Sequence, residues 1–242
     1  LLVNNNYTNN TMVQQGVKNR RILLAIAHPD DECMFFAPTI QSYVNNNDSV
    51  YVLCLSNGNA EGLGKIREKE LTESCKVMGI NGSNVRVVND DRMPDGMKQV
   101  WPQQVVKQHI QSLINEWNID HILTFDEGGV SGHPNHISVF EAVRSIIEEQ
   151  GQQRQNQNEL TGEKLETVNI VRKYIGIGDI AWSYLVGGAT TSNSYLSWQP
   201  FGINYLAMKQ HKSQFVWFRH LFVFFSRYSY INTLRNITDQ VA

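Results

Sequence analysis

Ile22-Leu23-Leu24-Ala25-Ile26-Ala27-His28-Pro29-Asp30-Asp31-Glu32 is an apolar run that stops abruptly at residues able to bind a metal or a proton. The run, over residues 21–27, reads as a buried strand. A strand ending in such a cluster places it at the carboxyl edge of a sheet, where α/β proteins hold their ligands. Far downstream stands a second cluster, Ser131-Gly132-His133-Pro134-Asn135-His136. We expect the two clusters to meet in one metal site.

Outward from the first strand, β and α patterns alternate. Apolar residues at helical spacing over 39–44 predict a helix after the Asp-Asp-Glu turn. Residues 50–55 predict a second buried strand. A Gly-rich loop at 58–64 then opens onto a helix over 65–78, capped by Gly79. A short strand is expected at 85–88, an Asp-rich loop at 89–96, a helix at 100–117 and a fourth strand at 121–125. The second cluster lies in the loop 126–135, ahead of a helix over 137–147. Late strands are expected at 168–176 and 180–186, and helices at 205–211 and 214–226. Gln150–Asn158 carries no core-forming residue and reads as part of a solvated Gln/Asn-rich insertion near 150–164.

This alternation predicts a single α/β domain over 20–242. Its fold is Rossmann-like, three layers α/β/α around a mostly parallel sheet. Right-handed crossovers bring every β–α loop to one edge. No Gly-x-Gly-x-x-Gly follows the first strand, which argues against a dinucleotide site. Residues 1–19 read as a polar, Asn-rich lead-in, and Leu1-Leu2-Val3 as the end of an apolar membrane anchor ahead of it. No run among the 242 residues is long and charge-free enough to span a bilayer. The formal net charge of −2 argues against a nucleic-acid partner. Cys33, Cys54 and Cys75 form no Cys-x-x-Cys and leave an odd count, so they read as reduced thiols of a cytosolic compartment.

Nitrogen ligands with one carboxylate suit zinc, with an open position for water. His28 and Asp31 share one tight turn, and His136 comes from a distant strand end on the same edge. These three are the expected metal ligands. Zinc lowers the pKa of a bound water towards about 7. Neighbouring residues of a turn point in different directions, so Asp30 is placed to take that water's proton as general base. His133 is expected to assist the tetrahedral intermediate by a hydrogen bond or a proton. Glu32 is expected to orient His28 from behind. The implied reaction is hydrolysis of an amide or ester. Singly, the clusters have plainer readings: Asp-Asp before a helix is commonly an N-cap, and His-x-x-His commonly decorates a helix start. Two such clusters at β–α junctions of one sheet edge favour a site.

Ala27–Glu32 resembles the signature of the PIG-L/LmbE family of zinc-dependent de-N-acetylases, and Gly129–His136 resembles that family's second motif. The likeness runs from about Arg21 to Leu234. Three stretches are similar to the eukaryotic branch acting on N-acetylglucosaminyl-phosphatidylinositol: Phe125–His133, His211-Lys212-Ser213-Gln214-Phe215-Val216-Trp217-Phe218-Arg219, and Phe225–Leu234. The resemblance implies a metal-dependent amidohydrolase that removes acetate from this glycolipid. That is the second step of GPI-anchor biosynthesis, at the cytosolic face of the endoplasmic reticulum membrane. It implies Zn2+ at His28, Asp31 and His136, with Fe2+ as the other candidate. Asp30 matches the general base, and His133 the residue assisting the oxyanion or leaving group. Arg67 matches an Arg near the substrate's phosphate or sugar, where a planar fork suits a phosphodiester; the alternative is a solvated helix face. Asp95 either touches sugar hydroxyls or sits in a plain Pro-Asp-Gly turn.

The implied partners are the glycolipid and a membrane surface. Two other readings compete: the same chemistry on a soluble N-acetylglucosamine-containing small molecule, and an inactive sugar-phosphate binding module. Phe215, Trp217, Phe218, Leu221, Phe222, Phe224 and Phe225 crowd the segment around Arg219. It is either a core helix under the sheet or an element resting at a membrane interface.

Overall fold

β1 (Arg21–Ile26) is apolar and buried after its first residue because it is covered on both faces, as a central parallel strand must be. A computed structural model describes residues 19–153, 160–186, 193–196 and 202–239. The lead-in up to residue 18 and the Gln/Asn stretch over 154–159 lie outside the described residues. β1 pairs in parallel with β2 (Ser49–Cys54), which pairs in parallel with β3 (Val85–Val87). On its other side β1 pairs in parallel with β4 (His121–Phe125), which pairs in parallel with β5 (Thr161–Leu165). Beyond them, β6 (Asn193–Leu196) and β7 (Ile231–Asn236) complete the order β3-β2-β1-β4-β5-β7-β6. β7 is antiparallel to both of its neighbours. The sheet is mostly parallel, as the alternation of the sequence implies.

The helices, in chain order, are α1 (Asp31–Phe35), α2 (Ala37–Asn45), α3 (Gly64–Val77), α4 (Gln103–Trp117), the distorted turn α5 (Gly129–Gly132), α6 (Pro134–Gln153), α7 (Ile170–Tyr174), α8 (Gly178–Val186), α9 (Ile203–Met208) and α10 (Trp217–Phe225). α4 and α6 pack together over β1 and β4 on one face. α1, α2, α3 and α9 cluster on the other. α3 stops at Gly79, whose φ of +85° lets its own N–H and that of Ile80 reach back to Lys76 and Cys75. Among the described residues no helix is long and apolar enough to cross a membrane.

Residues 168–176 and 180–186 are not strands. They hold α7 and α8, because short apolar runs do not distinguish strand from helix and tertiary partners decide. The Asn169 side chain caps α7 by accepting from the Arg172 N–H. Arg172 and Arg227 both grip Asp179 of α8, at 2.9 and 2.6 Å. The range 150–164 expected to hold a solvated insertion carries regular structure at both ends: α6 runs to Gln153, and β5 begins at Thr161. β5 keeps two charged residues inside a sheet because each is paired. Glu163 accepts from the Tyr43 hydroxyl at 3.1 Å, and Lys164 donates to Glu127 at 3.1 Å and to the Asp239 carbonyl at 2.8 Å.

β1 hands the chain to one face of the sheet and β4 hands it to the other. Their loops part at the carboxyl edge and leave a crevice between them, where open α/β sheets bind ligands.

Candidate active site

Asp31, the first residue of α1, is tied to its own turn. Its Oδ2 accepts from the backbone N–H groups of Ala27 (3.1 Å) and His28 (2.8 Å). Asp30 before it has a φ of +127°, which is strained for a residue with a Cβ. The two carboxylates consequently face different partners. On the β4 side, α5 bends sharply at Val130, φ +64°, and delivers Asn135 and His136 in the first turn of α6. His136 Nε2 lies 3.3 Å from Asp31 Oδ1 and 3.3 Å from His28 Nδ1. His28 Nδ1 lies 3.6 Å from Asp31 Oδ2. All three side chains are buried, so the expected ligands converge.

The outward nitrogens of the two imidazoles fix their tautomers. His136 Nδ1 faces the Gly129 carbonyl at 3.1 Å and donates to it, which leaves a lone pair on Nε2. His28 Nε2 faces Asn135 Oδ1 and Asp95 Oδ1, both at 3.1 Å, which leaves a lone pair on Nδ1. Two lone pairs and a carboxylate thus point at one another. That arrangement is repulsive unless a cation or a proton sits among them. Burial opposes charge on His28, but hydrogen bonds to Asp31 and Asp95 outweigh it and raise its pKa to about 10. Burial also opposes ionisation of Asp31, yet His136 and His28 hold it well below the usual carboxylate range. This donor set of two nitrogens and a carboxylate fits a divalent metal of the zinc type.

Asp30 stands beside the ligand group. Arg219 Nη2 lies 2.9 Å from its Oδ2 but out of hydrogen-bond alignment, and Arg67 Nη2 lies 3.8 Å from its Oδ1. Burial raises the Asp30 pKa, with Arg219 and Arg67 pulling against it. Arg67 is no solvated helix residue. It donates from Nη1 to the Gly58 carbonyl (2.9 Å) and from Nη2 to the Pro29 carbonyl (2.8 Å). Its guanidinium thereby clamps the β2 loop to the β1 loop. Gly58 makes room for this with φ +67°, and a Cβ there would stand 2.2 Å from Arg67 Nη1. Gly58→Ala is therefore expected to lower stability by about 1–3 kcal/mol and to displace Arg67. A chemical melt checks it; an unchanged midpoint would show that the clamp is dispensable.

Asp95 is not a plain turn residue either. It faces the cleft and holds His28, and it lies 3.7 Å from Arg67. Burial pushes its carboxyl up, but His28 and Arg67 bring it below its ordinary value. Asp95 and Asn135 thus orient His28. Glu32 does not, because the residue after Asp31 projects towards another side of α1. Its Oε1 accepts from Ser74 Oγ (2.6 Å) and faces His211 Nε2 (2.7 Å), and its Oε2 accepts from the Asp30 N–H (3.1 Å). Glu32 thus braces the strained Asp30 turn against α3 and the segment after α9. His133 accepts at Nδ1 from the Asn135 N–H, 3.2 Å, so its proton sits on Nε2. Burial, then the neighbouring His28 and His136, press its pKa down to about 4 and keep it neutral at pH 7.

These residues floor a cleft of about 960 Å³. α7 and α10 wall its far side. The aromatic segment over 215–226 is not a core helix under the sheet. Only Val223 of α10 is fully buried, while Trp217 is 74% exposed and Phe218, Leu221 and Phe225 are about half exposed.

The family model described as PIG-L, GlcNAc-PI de-N-acetylase, matches residues 23–147, which hold His28, Asp30, Asp31, Arg67, Asp95, His133 and His136. The chain belongs to the PIG-L family. A probable N-acetylglucosaminyl-phosphatidylinositol de-N-acetylase of Dictyostelium discoideum is 44% identical over 97% of this chain and 98% of its own length. The N-acetylglucosaminyl-phosphatidylinositol de-N-acetylase of Bos taurus is 40% identical over 88% of this chain and 82% of its own. Among solved structures, the N,N'-diacetylchitobiose deacetylase from Pyrococcus horikoshii superposes with a TM-score of 0.60 over 90% of this chain and 83% of that one. At 16% identity that likeness concerns the fold alone.

Three residues of this PIG-L chain reach the site without a site role assigned from the sequence, although His211 and Arg219 lie in the stretch that resembles the eukaryotic branch. His211 backs Glu32, while Arg219 and Lys173 line the cleft. Arg219 stands out in the sequence as a cation inside an aromatic run. Lys173 lies in a stretch that reads as a strand.

Proposed function

We propose that this chain hydrolyses the acetamide of N-acetylglucosaminyl-phosphatidylinositol to acetate and glucosaminyl-phosphatidylinositol. The reaction is the second step of GPI-anchor biosynthesis, at the cytosolic face of the endoplasmic reticulum membrane. One observation carries the chemistry: His28, Asp31 and His136 converge on one point with Asp30 beside them. The names of the relatives support the substrate.

In this reading His28, Asp31 and His136 hold Zn2+, with Fe2+ as the alternative. The ion, when bound, supplies Lewis acidity to water and to the acetyl carbonyl. The chain's residues do the rest. Asp30 takes a proton from the attacking water, a task its raised pKa suits. His133 donates its Nε2–H to the oxyanion of the tetrahedral intermediate. As the C–N bond breaks, the proton held on Asp30 passes to the leaving amine, so water and amide become acetate and amine. Asp95 holds His28 in the ligating tautomer, and Arg67 keeps the Asp30 and Gly58 loops together. The exposed aromatic rim of α10 suits a membrane surface in which the acyl chains stay.

The test is acetate release by zinc-loaded protein from N-acetylglucosaminyl-phosphatidylinositol and from free N-acetylglucosamine. Release from the glycolipid is expected. Release from the free sugar alone moves the chain to the soluble small-molecule reading, and release from neither refutes the deacetylase reading.

A further inference from the structure

Lys173 is a buried cation without a counter-charge among the described residues. It stands on α7, is 9% exposed and lines the cleft. Among the described residues its ammonium has one polar neighbour, the Val130 carbonyl at 3.4 Å. The ring faces of Tyr174 and Phe222 lie 5.8 and 6.0 Å away. Among the described residues no carboxylate pairs with it. Burial lowers its pKa, with nothing acting against the shift. A desolvated ammonium held by one long hydrogen bond is an unfavourable arrangement, and an arriving anion relieves it.

Arg219 is the second cation on this wall. It sits on α10 one helical turn before Phe222, the ring that Lys173 overlies, so both cations stand along the same stretch of α10. Its guanidinium lies against Asp30 without an aligned hydrogen bond to Oδ2, and it touches the Met34 sulfur. The fork is paired with Asp30 by charge but not by an aligned hydrogen bond to Oδ2, so an acceptor of better geometry can compete for it. Arg67 is differently placed: one N–H of each terminal nitrogen goes to the Gly58 or Pro29 carbonyl, which anchors its guanidinium on the cleft floor between the two loops and away from the α7–α10 wall. On the rim beyond the two cations, Phe218, Leu221 and Phe225 are exposed and apolar.

We propose that Lys173 and Arg219 form the subsite for the substrate's phosphodiester, and that this pair selects amino sugars carrying an anionic phosphodiester over uncharged ones. The inference rests on the glycolipid reading and deepens it. The cleft then reads in the order of the substrate: acetamide on the floor, phosphodiester on the α7–α10 wall, acyl chains over the apolar rim. Arg offers a planar fork and Lys a point charge, a combination suited to two non-bridging phosphate oxygens.

Two short-chain probes test this. One is dihexanoyl N-acetylglucosaminyl-phosphatidylinositol. The other is N-acetylglucosaminyl-inositol, which lacks the phosphate. The readout is the ratio of their kcat/KM values in wild type, Lys173→Gln and Arg219→Gln. Each Gln variant is expected to lower the ratio about tenfold or more, the range for a charged hydrogen-bond partner, and Lys173→Arg and Arg219→Lys to restore part of it. A parallel fall on both substrates, with the ratio kept, would mean that the two cations only hold the fold, and the subsite would be overturned. Calorimetric binding of dihexanoyl-phosphatidylinositol supplies a readout without turnover, and the same variants are expected to weaken it about tenfold or more. Where Lys173→Gln does not fold, Lys173→Met keeps the length and the apolar contacts. Protein that binds this lipid through Lys173 and Arg219 but releases acetate from neither probe would sink the deacetylase reading and keep the subsite. Unchanged binding in both Gln variants would sink the subsite and leave the deacetylase standing.

Discussion

Asp30→Asn is expected to cut kcat for acetate release by about 10²–10⁴-fold, the usual contribution of a general base, with the metal still bound. Asn keeps the shape and the hydrogen-bonding oxygen but cannot take a proton from water. The proposed ligands are separate residues: Asp31 is tied by the Ala27 and His28 N–H groups, and His28 and His136 by Asp95, Asn135 and Gly129. None of those bonds uses the Asp30 side chain, so metal content by mass spectrometry should equal that of wild type. Asn is isosteric with Asp, so it meets the strained turn at +127° on the same steric terms. The substitution leaves Arg219 facing an uncharged amide, so the α10 wall is expected to loosen and KM to shift by less than kcat. A variant that keeps wild-type kcat would remove Asp30 from the mechanism, and the base would have to be sought elsewhere on the cleft floor. A variant that loses its metal along with its activity would show instead that Asp30 acts on the ligand turn.

Much of this site is legible in the sequence because its residues fall next to one another at strand ends. Ile22–Ile26 states a buried strand, and the residues after it can only lie at the carboxyl edge. The convergence of His28, Asp31 and His136 follows from that placement. Orientation is harder to read. Whether Glu32 or Asp95 holds His28 depends on which side of the one-turn α1 Glu32 projects from and on where the loop carrying Asp95 comes to lie, and only the packing of α1 against α3 and of that loop against His28 settles it. The far side of the sheet hides for a different reason. β5 is Thr-Gly-Glu-Lys-Leu, a polar strand whose charges are matched by Tyr43, Glu127 and Asp239 from distant parts of the chain. β7 buries Asn232, which bonds to Thr39 and to the Phe35 carbonyl. α7 and α8 are written in β-branched and aromatic residues and become helices through the Asn169 cap and the Asp179 ion pairs. Lys173 stands on α7, so the misreading of α7 also hides half of the cleft wall, whereas Arg219 stands on α10, a segment the sequence does present as a helix.

Removal of the metal with a chelator is expected to stop turnover. Zinc affinity is expected to rise about tenfold for each pH unit between pH 6 and 8, the slope of one proton released per ion bound. The cause is His28. In the metal-free protein Asp31 and Asp95 hold its pKa at about 10, so at pH 7 a proton occupies the nitrogen a metal must take. Binding displaces it, and the competition eases as pH rises. The sign for stability is the opposite. A folded pKa raised above the unfolded value of about 6.5 stabilises the metal-free protein fully below pH 6.5, and that contribution is lost as pH rises towards 10. The melting difference between metal-loaded and chelated protein is therefore expected to widen from pH 6 to pH 8. Calorimetric zinc titration in two buffers of different ionisation enthalpy should count close to one proton at pH 7. Asp95→Asn keeps an acceptor for His28 Nε2 but removes one of the two charges that raise its pKa, so the pH slope should flatten towards pH 8. An affinity that does not change with pH in wild type would mean that His28 carries no proton for the metal to displace. The tautomers fixed by Gly129, Asn135 and Asp95 would then describe a site already open to a cation.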